Sequence, residues 1–212
     1  MSSIPTYKYD IFISYASVDN LTTQDSKQGW VAKFKENLEI SLSKRVGRIG
    51  AVKIWWGPVV KGNQVFDDTI KDAIDASKLF IALTSNGYMA SDYCKKELDW
   101  FYQKAKKESI GLTIGDCSRI FNVLLNNIHH ENWLPEFVGT SGFPMNDATN
   151  ADTFSGPSKP DNDLFKVQLG KLVDAIFRLL THFKEISFEE KHINEMFVKP
   201  NPNESQRILT LK

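Results

Sequence analysis

The chain has 212 residues, 42% of them hydrophobic, and its 26 basic and 26 acidic side chains give a formal net charge of +0 at pH 7. This much apolar surface predicts a packed globular protein rather than a disordered segment. The balanced charge argues against direct binding of nucleic acid, which needs a basic excess. Because the sequence has no apolar run of about 18 residues and no signal peptide, we expect a cytoplasmic protein without membrane attachment.

Short apolar runs that are rich in β-branched and aromatic residues predict the strands. The run at 79–84 is almost wholly apolar, as expected of a central strand that is covered on both faces. The predicted strands cover residues 9–15, 51–56, 79–84 and 119–125, and a short fifth strand can be placed at 136–138.

Apolar residues at helical spacing predict a helix after each of these strands. Ser91 is well placed to cap one of them, because its hydroxyl can accept from the free amides of the first turn. The region at 146–163 is rich in Asn, Asp, Ser, Gly and Pro and is predicted to be a surface loop. The predicted helices cover residues 30–42, 70–77, 91–107 and 164–184.

The last predicted helix has a broad apolar stripe, since Phe177 and Leu179 widen it beyond one face. Such a helix can pack on a sheet and also contact a partner. The residues that follow show no sustained period. We therefore predict a domain at 1–184 and a C-terminal tail or linker at 185–212, which can lead to a sensor domain or a partner protein.

Strands that alternate with helices need crossover connections. The pattern therefore predicts an α/β fold, a doubly wound parallel sheet of about five strands between two layers of helices. Ligands of such sheets bind beyond the carboxyl ends of the strands. In this chain those ends lead into residues 15–17, 55–62 and 84–93, so the chemistry is expected there.

Three patterns suggest a site that the residues then fail to complete. The loop at 57–62 has the glycine spacing of a phosphate-binding loop, but Asn63 and Gln64 replace the Lys and the Ser or Thr that hold phosphate and magnesium. Residues 139–143 resemble a hydrolase nucleophile elbow, but Phe143 stands where the closing Gly is needed. The four histidines and two cysteines lack metal-ligand spacing, so no metal site is predicted.

Glu97 is the acidic residue without an ordinary structural explanation. On the helix after Ser91 it falls at the edge of the apolar stripe, about 60° from the centre of that stripe. A solvated helical Glu usually has a Lys three or four positions away. The residues at those separations are Tyr93, Cys94, Trp100 and Phe101. Glu97 is therefore either functional or explained by a tertiary partner such as Arg119.

The chain also contains several short motifs in a definite order. They are residues 10–15, Trp55 with Gly62, residues 70–77, residues 83–85 with Tyr88, and residues 91–98. Together they resemble the TIR (Toll/interleukin-1 receptor) domain family, in the form found in its bacterial and NAD-cleaving members. The resemblance covers residues 9–125, and the last helix continues it. It implies a flavodoxin-like fold of three layers.

The resemblance implies hydrolysis or cyclisation of NAD with release of nicotinamide, so NAD is a substrate and no cofactor is expected. The catalytic glutamate of the family matches Glu97. Family position further implies that the substrate-binding residues are Tyr15, Ala16, Ser17, Trp55, Trp56, Gly62, Phe66 and Tyr93. The chain departs from the family pattern where Tyr93 replaces the usual Trp, and where Trp56 and Gly57 stand in place of an acidic residue.

Two functions fit this resemblance. The first is an NAD glycohydrolase or ADP-ribosyl cyclase, whose product is linear or cyclic ADP-ribose. Such an enzyme would act in an antiviral defence, innate immunity or cell-death response and would be activated by self-assembly. The second is a non-enzymatic adaptor that signals by TIR–TIR association. Both imply an oligomer, for which the loop at 57–66 and the apolar stripe of the last helix are candidate surfaces.

Overall fold

The computed structural model describes residues 6–22, 27–57, 65–146 and 156–197. In chain order, its strands are β1 (Tyr9–Tyr15), β2 (Ile54–Trp55), β3 (Ser77–Thr84), β4 (Thr113–Ile114), β5 (Cys117–Ser118), β6 (Ile120–Leu124) and β7 (Phe143–Pro144). Five of these form a parallel sheet in the order β2-β1-β3-β6-β7, and β4 and β5 form a separate antiparallel pair. The prediction of a five-stranded, doubly wound parallel sheet is confirmed.

Helices cover both faces of this sheet. They are α1 (Trp30–Val46), α2 (Val65–Asp75), α3 (Asn86–Ala90), α4 (Asp92–Lys107) and α5 (Asp163–Phe197). Apolar residues of α1 and α5 pack on one face, and those of α2 and α4 pack on the other. Because successive side chains of a strand point to opposite faces, β1 sends Ile11, Ile13 and Tyr15 to the first face and Phe12 to the second.

Local chemistry explains where two of the helices end or begin. Gly47 ends α1 in the left-handed conformation with φ +76°, which a glycine adopts at little steric cost. Ser91 caps α4, and its Oγ accepts from the backbone N–H of Cys94 at 3.2 Å. The prediction of an N-cap at Ser91 is confirmed.

Several predicted boundaries are wrong. The second strand is only two residues long instead of spanning 51–56, and Ser77 begins a strand instead of ending a helix. The fifth strand is β7 and not residues 136–138, because Pro135–Phe137 forms a 3-10 turn that buries Phe137 completely. β7 pairs through two residues with β6, which is too short a stretch to give an alternating pattern.

The last helix is longer than predicted, since α5 runs to Phe197 and not to about Lys184. Leu179 is buried in the core, and the guanidinium of Arg45 lies over the ring of Phe177 at 4.7 Å. These two residues therefore widen the stripe for contacts within the chain. The division at residue 185 stays a prediction. No helix in the described ranges combines the length and the apolar character needed to cross a membrane.

Candidate functional site

Glu97 lies on the second turn of α4, on the side that faces the sheet. Its exposed fraction is 7%, so it is more deeply buried than a position at the edge of the stripe implies. Its hydrogen-bond partner is Ser14 near the carboxyl end of β1, whose Oγ donates to Oε2 of Glu97 at 2.5 Å. The site thus joins a helix and a central strand that are 83 positions apart in the sequence.

Within the described ranges no basic side chain pairs with Glu97. Arg119, the tertiary partner considered from sequence, instead pairs with Glu108, and Nη1 lies 2.6 Å from Oε2. Burial raises the pKa of Glu97 from 4.5 to about 7, and the hydrogen bond from Ser14 acts in the opposite direction. The carboxyl group therefore titrates near neutral pH.

A small cavity adjoins this carboxyl group. Its volume is about 10 Å³, which is the space of a single water molecule. The residues that line it are Ile13, Ser14, Tyr15, Trp55, Gly57, Ile70 and Glu97. Of the residues that the family resemblance implicates, the cavity brings together Glu97, Tyr15 and Trp55.

Tyr15 and Trp55 form the wall of the cavity beside β2, whereas Trp56 does not line it. The hydroxyl of Tyr15 donates to the carbonyl oxygen of Gly57 at 3.0 Å, which ties the end of β1 to the residues after β2. Trp55 stacks on Phe12 with ring centroids 4.5 Å apart, whereas Trp56 lies near the ring of Tyr15 at 6.4 Å. The two tryptophans therefore alternate across the strand, and Trp55 is the one on the side of Glu97.

The other implicated residues do not line this cavity in the part of the chain that the structure describes. Ala16 is buried in the core on the α2 and α4 side, and Ser17 is exposed at the start of a 3-10 turn. Tyr93 is half-buried, and its ring meets that of Trp100 edge-on at 6.4 Å. Gly62 and the side chain of Phe66 lie outside the described residues.

Two residues of the site were missed from the sequence. Ser14 is 1% exposed, and its signal was a lone serine within the otherwise apolar and aromatic buried run at 11–15. Tyr88 on α3 is fully buried, and its hydroxyl lies 3.4 Å from Oγ of Ser14 and donates to the carbonyl oxygen of Cys94 at 3.1 Å. In the described ranges no three His, Cys, Asp or Glu side chains form a group that could hold a metal ion.

Comparisons with known proteins find one matching sequence profile and similar solved structures. The sequence profile described as TIR domain matches residues 11–134. One similar solved structure is the TIR domain of the Toll-related receptor TRR-2 from Hydra magnipapillata, at 20% identity and a TM-score of 0.42, covering 80% of this chain and 98% of that one. A second similar structure contains the TIR domains of the activated Roq1 resistosome directly recognising the pathogen effector XopQ. It is 15% identical with a TM-score of 0.38, and the match covers 83% of this chain and 99% of that one. No curated protein matches the chain significantly.

Proposed function

Because the chain belongs to the TIR domain family, we propose that it is an enzyme that cleaves the nicotinamide–ribose bond of NAD, as a glycohydrolase or a cyclase. The observation that carries this proposal is the environment of Glu97. A carboxyl group that is buried without a basic partner among the described residues costs stability, so its position at the carboxyl edge of the sheet favours a functional role.

One carboxylate is enough for this reaction. When the bond between ribose C1′ and the pyridinium nitrogen breaks, its electron pair goes to the nitrogen, and nicotinamide leaves as a neutral molecule. The leaving group therefore needs no proton donor, unlike the oxygen of an ordinary glycoside. The remaining task is to stabilise the positive charge that develops on the ribose, which an ionised Glu97 can do from a largely dry environment.

The residues around the cavity support a position for the ribose. Ribose hydroxyls can donate to the carboxylate of Glu97, while Tyr15 and Trp55 wall the adjoining space. A cavity of about 10 Å³ is far too small for NAD, so binding must widen it. Water or an adenine nitrogen then attacks C1′, and the choice between them decides whether linear or cyclic ADP-ribose forms.

The test of this assignment is the substitution Glu97→Gln, which keeps the shape of the side chain and an oxygen that accepts from Ser14. We expect nicotinamide release from NAD to fall by at least about 100-fold, the cost of losing a preorganised electrostatic group. Asp99→Asn is the matched control, because it makes the same chemical change on an exposed position of α4. Unchanged turnover in Glu97→Gln would contradict the proposal.

The cellular setting rests on the family resemblance. We place the enzyme in the cytoplasm, in a defence or cell-death response of the bacterial type that self-association switches on, with a sensor domain or partner protein as the trigger. In such an assembly a neighbouring copy can help to widen and complete the NAD site, since the cavity of the single chain is small.

The second candidate function is a non-enzymatic adaptor that acts through TIR–TIR contacts. The observation that favours it is the size of the cavity, since a protein that never binds NAD has no need for a larger one. The two candidates are separated by incubating concentrated protein with NAD and separating the products by chromatography. Absence of nicotinamide under conditions where the protein is oligomeric would support the adaptor.

A further inference from the structure

Ser14 occupies an unusual position between two oxygen atoms. It is buried on β1, and its Oγ lies 2.5 Å from Oε2 of Glu97 and 3.4 Å from the hydroxyl oxygen of Tyr88. A serine hydroxyl has one proton to donate and two lone pairs that accept. It can therefore donate to only one of these two neighbours at a time.

The proton of Tyr88 is already committed. Its hydroxyl donates to the carbonyl oxygen of Cys94 at 3.1 Å, which leaves the phenolic oxygen free to accept. Burial raises the pKa of Tyr88 well above its ordinary value, so this phenol stays neutral. Tyr88 thus presents Ser14 with a fixed acceptor that does not change with pH in the physiological range.

We propose that Ser14 is a positioning residue that holds the Glu97 carboxyl group in place in both of its protonation states, by turning its hydroxyl proton between Glu97 and Tyr88. When Glu97 is ionised, Ser14 donates to the carboxylate. When Glu97 is protonated, its O–H donates to Oγ of Ser14, and the serine proton turns to Tyr88. Only hydrogen atoms move between the two arrangements.

The consequence for the reaction follows from the two opposed effects on Glu97. Burial favours the neutral carboxyl group, whereas the charge-assisted hydrogen bond from Ser14 favours the anion that the developing ribose cation requires. Tyr88 has the reverse effect, because Ser14 donates to Tyr88 only when the Glu97 carboxyl group is neutral. This reading rests on the proposed function for its role in catalysis, but the titration of Glu97 can be measured without any substrate.

The experiment follows the titration of the Glu97 side-chain carboxyl carbon by NMR, assigned by its loss in Glu97→Gln. We expect Ser14→Ala to move the midpoint to higher pH by about one unit or more, since it removes a hydrogen bond to the charged form. Tyr88→Phe should move it to lower pH, and Ser14→Thr, which keeps the hydroxyl, should leave it near the wild-type value. If Ser14 and Tyr88 only supported the fold, their substitutions would not move the titration midpoint of Glu97 in opposite directions.

The pH profile of nicotinamide release supplies the second readout. The midpoint of the profile should move in the same two directions, so that Ser14→Ala loses about fivefold or more at pH 7 and recovers at alkaline pH. A Ser14→Ala midpoint that stays in place or falls, in either readout, overturns the proposal. If the two variants move the NMR titration midpoint in opposite directions but the wild-type protein releases no nicotinamide, the positioning role of Ser14 is supported and the enzymatic function is rejected.

Discussion

The burial of Glu97 predicts that its removal stabilises the protein at alkaline pH. The pKa of this group rises from 4.5 to about 7 on folding, so between these pH values the folded state holds a proton that the unfolded state has lost. The contribution of the protonated carboxyl group to the free energy of unfolding is fully present below pH 4.5 and is lost as the pH rises through 7. One pKa unit corresponds to about 1.4 kcal/mol, which makes the full loss about 3 kcal/mol above pH 7.

Glu97→Gln does not ionise and escapes this loss. Relative to the wild-type protein, its Tm should therefore increase between pH 5 and pH 8 by roughly 5–10 °C, because about 1 kcal/mol corresponds to 2–4 °C in a chain of this size. Differential scanning calorimetry or thermal denaturation followed by circular dichroism measures the change. Because the Tm difference is compared at two pH values, any pH-independent effect of the amide on Tm cancels.

Asp99→Asn again provides the control, since its carboxyl group is exposed and its substitution should give the same Tm difference at both pH values. An equal Tm difference between Glu97→Gln and the wild type at pH 5 and at pH 8 would contradict the raised pKa of Glu97. That result would mean that the Glu97 carboxyl group titrates as an ordinary surface glutamate, and the electrostatic role proposed for it would lose its basis.

Two further predictions concern the scaffold and the assembly. Arg119→Ala should lower the free energy of unfolding by about 3 kcal/mol or more, because it removes a fully buried guanidinium that pairs with Glu108 at 2.6 Å and donates to the carbonyl oxygens of Lys78 and Gly111. Arg45→Ala, at a half-exposed pair with Asp174, should cost less than about 1 kcal/mol in the same denaturant titration. Nicotinamide release per molecule should rise with protein concentration if neighbouring copies complete the site, so strict proportionality across the monomer-to-oligomer range, checked by light scattering, counts against a shared site.

Under the proposed function, the burial of Glu97 gives up stability of the fold in favour of catalysis. Most of the chain buries apolar residues or pairs its buried charges, as Arg119 does with Glu108 and with the carbonyl oxygens of Lys78 and Gly111. Glu97 lacks such a basic partner within the described ranges and is held by a neutral hydroxyl instead. A cation at this position would stabilise the fold, but it would also compete for the carboxylate with a positively charged ribose.

Features that depend on neighbouring residues could be predicted from the amino-acid sequence. The alternation of strands and helices gave the parallel sheet, the hydroxyl of Ser91 gave the start of α4, and helical spacing marked Glu97 as an acid without a nearby cation. Periodicity and capping act within a few positions of the chain, so they can be read from a single sequence.

Which side chains of distant segments meet could not be predicted in this way. The partner of Glu97 is 83 positions away on β1, and the neighbour of that partner, Tyr88, lies on another helix. β7 was missed because two residues suffice for its pairing with β6. Contacts between distant segments depend on how the layers pack, and no local pattern in the sequence records that packing.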